Sequence, residues 1–162
     1  MSEIAALAEC LGAALRKAGL RLVTAESCTG GWIAQAVTAV AGSSAWFDRG
    51  FVAYSNDAKQ EMLGVAASLV ETHGAVSEPV VAAMALGACG GRPDRAAVAV
   101  SGVAGPGGGS ASKPVGTVCL ALTIAGDSPR THTVLFDGGR DEIRRRTVCR
   151  AMADLIEALE SR

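Results

Sequence analysis

Ser27 and Cys28 stand side by side in the stretch Thr24-Ala-Glu-Ser-Cys-Thr-Gly-Gly31, where a hydroxyl or a thiol could attack an electrophilic carbon. Leu22 and Val23 before the stretch suit a strand, and the apolar spacing from Trp32 to Val37 suits a helix facing a core. Strand, tight polar turn, helix is the local reading. In open α/β folds, ligands bind beyond the carboxyl ends of the strands. A helix starting there offers unpaired N–H groups and the positive end of its dipole. Gly30 and Gly31 carry no Cβ and admit a ligand or another backbone close by. On these residues alone two readings stand: a reactive site, or a capped turn with Thr29 as the N-cap of the following helix. Cys28 competes with Ser27 as nucleophile, because a thiol at a helix start is more acidic than usual and more reactive than a hydroxyl.

A nucleophile needs a base. Ser55-Asn56-Asp57 is a helix-start signal that places Lys59 in the first turn of a short helix closed by Gly64. The dipole there disfavours an ammonium, so Lys59 reaches solvent, pairs with an anion, or has its pKa pushed down. Tyr54, the only tyrosine of the chain, ends the strand before it. Further on, the apolar run 96–100 reads as a buried strand that empties into Ser101-Gly-Val-Ala-Gly-Pro-Gly-Gly-Gly109. Glycines at 102, 105, 107, 108 and 109 can aim several backbone N–H groups at one anion. No Gly-Lys-Ser/Thr follows, so this is not a Walker A loop, and a flexible connector is the alternative reading. Arg144, Arg145 and Arg146 fall in the first turns of the last helix. Their conflict with its dipole is relieved by Asp141 and Glu142, or by an anionic ligand.

The elements that must position these residues alternate along the chain. Ile4, Leu7, Ala8, Leu11, Ala14 and Leu15 recur at helical spacing before Gly19, and the helix after the first motif should run over about 30–41, with Gly42 as its stop. Residues 46–54 read as a strand broken near its start. A helix opened by Ser77-Glu78-Pro79 runs to Gly90. Residues 115–124 and 130–136 read as a hairpin, and Val148, Met152, Leu155, Ile156 and Leu159 as the apolar stripe of a final helix. The expectation is one α/β domain over residues 1–162, a three-layer α/β/α sandwich with a mixed, mostly parallel sheet.

Composition narrows the ligand. With 49% hydrophobic residues, a net charge of −1 and few aromatics, the chain offers no basic excess for nucleic acid or an anionic membrane and no stacking platform for single strands. A small molecule is the better default. Cysteines at 10, 28, 89, 119 and 149 form no C-x-x-C pair, which fits a reducing, cytoplasmic setting. His73 and His132 lack partners at metal-ligand spacing, so no metal and no other cofactor is expected, and no local pattern supports a Ser-His-Asp triad.

Taken together, the Thr24 and Ser101 motifs, Ala53-Tyr-Ser-Asn-Asp-Ala-Lys59, His73-Gly-Ala-Val-Ser77, Lys113-Pro-Val-Gly-Thr117 and Arg140 with Arg144 resemble the CinA C-terminal domain family of nicotinamide-nucleotide amidases. The resemblance spans nearly the whole chain. It implies an α/β/α sandwich that hydrolyses the carboxamide of nicotinamide mononucleotide without a metal, and a homo-oligomer, most often a dimer. It makes Ser27 the nucleophile and Lys59 its base, with Tyr54 supporting proton transfer or orienting the lysine. Backbone N–H groups around Cys28, Thr29, Gly30 and Gly31 would hold the oxyanion. The loop with Ser101, Gly102, Gly105, Gly107 and Gly108 would contact the ribose phosphate of a pyridine mononucleotide together with Arg140, and Arg144 would belong to the same substrate-binding set. The family usually has threonine where this chain has Ser101, which keeps the hydroxyl and loses a methyl. A binding module of the same fold, without catalysis, is the alternative from another class.

Overall fold

A computed structural model describes residues 1–162. Ser2 accepts a hydrogen bond from the N–H of Ala5 and starts helix α1 (Glu3–Ala18), which left-handed Gly19 ends as its C-cap. Strand β1 (Arg21–Glu26) leads into the Ser27 turn, helix α2 (Trp32–Thr38) and a tight helical turn, Ser43–Ala45. Strand β2 (Phe47–Val52) follows, and its register against β1 slips at Leu22/Val23, the irregularity expected near its start. Helices α3 (Asn56–Leu63), α4 (Ala67–His73) and α5 (Glu78–Cys89) lead to β3 (Arg95–Gly102), the hairpin of β4 (Thr117–Ile124) and β5 (Arg130–Leu135), and the long α6 (Arg140–Glu160).

The five strands lie in the order β2-β1-β3-β4-β5. β1 pairs parallel with β2 and β3, whereas β4 pairs antiparallel with β3 and β5. Four strands therefore point one way and β4 opposes them, so the sheet is mixed, as expected. The chain leaves β1 toward one edge with β2, then crosses back to place β3 on the other side. That reversal opens a crevice at the carboxyl ends of β1 and β3.

Alternation along the strands builds two cores. Leu22, Val98, Val100, Leu120 and Ile124 face α1, α2 and α6, while Val23, Ala25, Ala97, Ala99 and Ala121 face α3, α4 and α5. Small side chains on the second face let helices come close. At Gly87 of α5, an added Cβ would lie 1.9 Å from the Leu63 carbonyl oxygen of α3. Helices thus cover both faces of the sheet. No helix is long and apolar enough to cross a membrane.

Helix α2 departs from expectation. It spans seven residues rather than the whole of 30–41, because Gly30 and Gly31 take left-handed φ values of 60° and 97° and stay outside it. Thr29 is not its N-cap; that position is Gly31, and the Thr29 hydroxyl donates to Glu26 instead. Gly42 does not stop α2 either. It precedes the tight turn, and Ala39 is the C-cap.

Candidate active site

Ser27 follows β1 directly and is buried. Its backbone N–H donates to the Val100 carbonyl at 3.1 Å, which ties the turn to β3. Ser55 caps α3 through the N–H of Ala58 and thereby aims the fourth residue of that helix, Lys59, back under the turn. Lys59 is 1% exposed. Its Nζ donates to Ser27 Oγ at 3.1 Å and to the Tyr54 carbonyl at 2.9 Å, and Ser27 Oγ lies 3.4 Å from the same carbonyl. Burial pushes the Lys59 ammonium below its ordinary value of 10.5, because a desolvated amine favours its neutral form. A neutral amine beside a hydroxyl is the arrangement in which lysine can take a serine proton.

Tyr54 acts in this geometry through its main chain. The residue is 60% exposed, and its phenol bonds neither Lys59 nor Ser27; the carbonyl does both. The group of Tyr54 that meets the lysine is thus its backbone carbonyl. Cys28 sits beside Ser27 with no base of its own, and burial pushes its thiol up to about 11.

Across the crevice, β3 ends in Ser101 and Gly102. Gly102 presses against the first turn, since a Cβ there would come within 3.2 Å of Cys28 Sγ and 2.8 Å of Val118. Val103 pairs with Thr117 and Gly116, so the loop leaves the sheet in a fixed direction. The N–H groups of Ala104, Gly105, Gly107 and Gly108 have no acceptor within the chain. Arg140, at the start of α6, donates to the Gly105 carbonyl at 2.7 Å and lines the same space. Lys113 anchors the far end of the loop on the His73 carbonyl at 2.7 Å.

The cavity between the two turns holds about 280 Å³. Ser27, Cys28, Tyr54, Lys59, Ser101, Gly102, Gly105, Gly107, Gly108 and Arg140 all line it. Arg140 brings a guanidinium to it and no carboxylate faces it, so its field favours an anion. Thr29, Gly30, Gly31 and Arg144 stand apart from the cavity. Gly30 spends its N–H on the Ser27 carbonyl. Arg144 donates to the carbonyls of Cys28 at 3.0 Å and Thr29 at 3.2 Å and lies over the Trp32 ring at 5.4 Å. Two of its guanidinium nitrogens thus hold the turn, and the third lies 3.8 Å from Asp141. Arg145 and Arg146 pair with Glu142, and Arg145 also with Glu3. No three His, Cys, Asp or Glu side chains converge as for a metal ion.

Sequence reasoning passed over Asn56, Ala75, Val103 and Ala104, which complete the lining. All four lie inside motifs already singled out, so their neighbours were the available signal. It also passed over Glu26, whose carboxylate accepts from the Thr29 hydroxyl at 2.6 Å and from the N–H groups of Ile33 at 2.8 Å and Ala34 at 3.1 Å.

An open α/β sheet with a serine and a buried lysine at its ligand crevice has close relatives. The family model for the CinA C-terminal domain matches residues 4–159. The chain is 51% identical over 154 residues to the nicotinamide-nucleotide amidohydrolase PncC of Escherichia coli strain K12, covering 95% of this chain and 93% of that one. It is 52% identical to the protein of the same name from Pseudomonas putida, over 97% and 98% of the two chains. The crystal structure of the competence/damage inducible protein CihA from Agrobacterium tumefaciens superposes with a TM-score of 0.92 at 49% identity, covering 99% and 97%. The chain belongs to the CinA C-terminal domain family.

Proposed function

We propose that this protein hydrolyses the carboxamide of nicotinamide mononucleotide to nicotinate mononucleotide and ammonia, with Ser27 as nucleophile and Lys59 as its base. The observation that carries the reading is the buried Lys59 Nζ, 3.1 Å from Ser27 Oγ, at the foot of a cavity that Arg140 and the glycine loop also line. The relatives named for this activity support the choice of substrate.

Neutral Lys59 accepts the Ser27 proton as Oγ bonds to the carboxamide carbon, and the carbonyl π electrons move to oxygen. The Cys28 N–H, which has no acceptor within the chain and borders the cavity, holds the oxyanion, as the residue after the nucleophile does in other strand–turn–helix hydrolases. Collapse breaks the carbon–nitrogen bond. The lysine proton passes to the departing nitrogen, which leaves as ammonia, and the acyl group remains as an ester on Ser27. Water then gives its proton to Lys59 as it attacks, the carboxylate departs, and Ser27 recovers its hydrogen. Meanwhile the 5′-phosphate rests on the free amides of Gly105, Gly107 and Gly108 and on Arg140.

Cys28 takes no nucleophilic part in this scheme. Lysine donates to the serine, and a thiol raised to about 11 by burial supplies little thiolate at neutral pH. Incubating the purified chain with nicotinamide mononucleotide and measuring ammonia tests the proposal. Stoichiometric ammonia is expected; saturable binding without release would instead identify a nucleotide-binding module. The same reading carries a homo-oligomer, which light scattering measures.

A further inference from the structure

Glu26 is wholly buried, and no lysine, arginine or histidine pairs with it. A buried carboxylate without a cation is costly unless hydrogen bonds and dipoles replace the water it lost. Here the replacements come from one short stretch. Oε1 accepts from Thr29 Oγ1 and the Ile33 N–H, and Oε2 from the Ala34 N–H. The last two are donors that an N-cap side chain ordinarily satisfies from the position just before the helix. Here they are satisfied by a residue six positions before the first residue of α2.

The intervening loop, residues 27–31, is therefore closed on a single carboxylate. β1 fixes the backbone of Glu26, Thr29 returns to it from the middle of the loop, and the first turn of α2 binds it at the far end. Arg144 holds the outer side through the carbonyls of Cys28 and Thr29. The Ser27 carbonyl accepts from the Gly30 N–H at 3.1 Å, and because N–H and C=O oppose each other across a trans peptide, that bond also sets the direction of the Cys28 N–H.

We infer that Glu26 is the positioning residue of this active site: it closes the nucleophile loop and so sets Ser27 Oγ against Lys59 and the Cys28 N–H against the cavity. It also fills the N-terminus of α2, which leaves substrate phosphate only the loop after β3. The inference rests on Ser27 being the nucleophile.

The test compares Glu26→Gln, Thr29→Val and Glu78→Gln in the full chain. Glu78 is the control. It accepts the hydroxyls of Thr131 and Thr133 at 2.8 Å each, outside the cavity. For each variant, kcat and KM for nicotinamide mononucleotide are measured with Tm and the rate at which iodoacetamide labels Cys28, read by peptide mass spectrometry. In Glu26→Gln, kcat is expected to fall by about tenfold to a hundredfold, because displacement of a reacting group by about an ångström costs that much. Its KM should stay within about threefold, since ground-state contacts remain, and Cys28 should label faster. Thr29→Val shows the same pattern more weakly, and it decides the matter if Glu26→Gln does not fold. Glu78→Gln lowers Tm alone. Folded variants that lose Tm yet keep wild-type kcat and labelling rates overturn the inference. A wild-type protein that releases no ammonia overturns the functional reading instead, and Cys28 labelling then still judges whether Glu26 closes the loop.

Discussion

The turn after β1 and the loop after β3 face each other across one crevice, and both are rich in groups that could bind an anion. They differ in what is already spent. In the first, Glu26 takes the N–H groups at the start of α2, Gly30 donates to Ser27, and Arg144 bonds two carbonyls. In the second, the amides of Ala104, Gly105, Gly107 and Gly108 find no acceptor in the chain. A turn pinned through its carbonyls and the helix start, with the Cys28 N–H left free, is held in place, whereas a run of free donors can bind. On the proposed function the first would carry the chemistry and the second substrate recognition, although both begin from the same feature, a strand that runs into a turn containing glycines.

Removing the chemistry should have the largest effect. Ser27→Ala is expected to lower kcat by at least about 10⁴-fold, as loss of a nucleophile does in serine hydrolases, while nucleotide binding measured by calorimetry persists through the untouched glycine loop. Loss of binding together with turnover would mean that the two regions do not divide the work. Lys59→Met should cost about 10²–10⁴ in kcat, the range for a general base. Burial depresses the Lys59 pKa below 10.5, so wild-type kcat/KM should climb with pH as the amine loses its proton and level off below that value. The sign for stability is the same. The folded state disfavours the proton, so this lysine's penalty is full at low pH and fades as pH rises toward 10.5. A Lys59→Met variant that kept the ascending limb would place the base elsewhere.

The two regions also differ in how far they could be read in advance. Serine caps, glycine stops and apolar periodicity made most element boundaries legible, because these signals are local. The glycine loop was legible for the same reason: its free amides follow from the residues themselves. The turn after β1 was misread at its start. Glu26 looks like a polar residue in a strand, and its partners at 33 and 34 lie beyond the three-residue reach of a capping box. Arg144 meets carbonyls more than a hundred positions away, which no spacing rule links. The pairing of Ser27 with Lys59 spans 32 residues. It was readable only as a lysine in an unfavourable helix position and through family resemblance.

Recognition should break with a different signature. Arg140 lines the cavity and holds the Gly105 carbonyl. Replacing it by Met removes a charge-assisted contact, so KM for the mononucleotide should rise by about tenfold to a hundredfold with kcat within a few fold. Nicotinamide riboside, which lacks the phosphate, separates the two roles of this arginine. If Arg140 contacts phosphate, the variant's affinity for the riboside should match that of wild type. Equal losses for both ligands would show that the arginine matters through the shape of the loop.

Tyr54→Phe carries the smallest expected effect. The phenol is exposed and bonds nothing in the catalytic pair, while the carbonyl that receives Lys59 and Ser27 survives any side-chain replacement. Turnover within about threefold of wild type is expected, the scale of an exposed substitution that removes no buried partner. A drop of a hundredfold would mean that the hydroxyl joins proton transfer once substrate fills the cavity. In that case the division between the two regions would be incomplete, because the nucleophile's side of the crevice would rely on a group outside the closed loop. Measuring Tyr54→Phe beside Lys59→Met across pH makes the outcome specific: a phenol that relays the proton would alter the ascending limb, whereas one that only borders the entrance would leave its position unchanged.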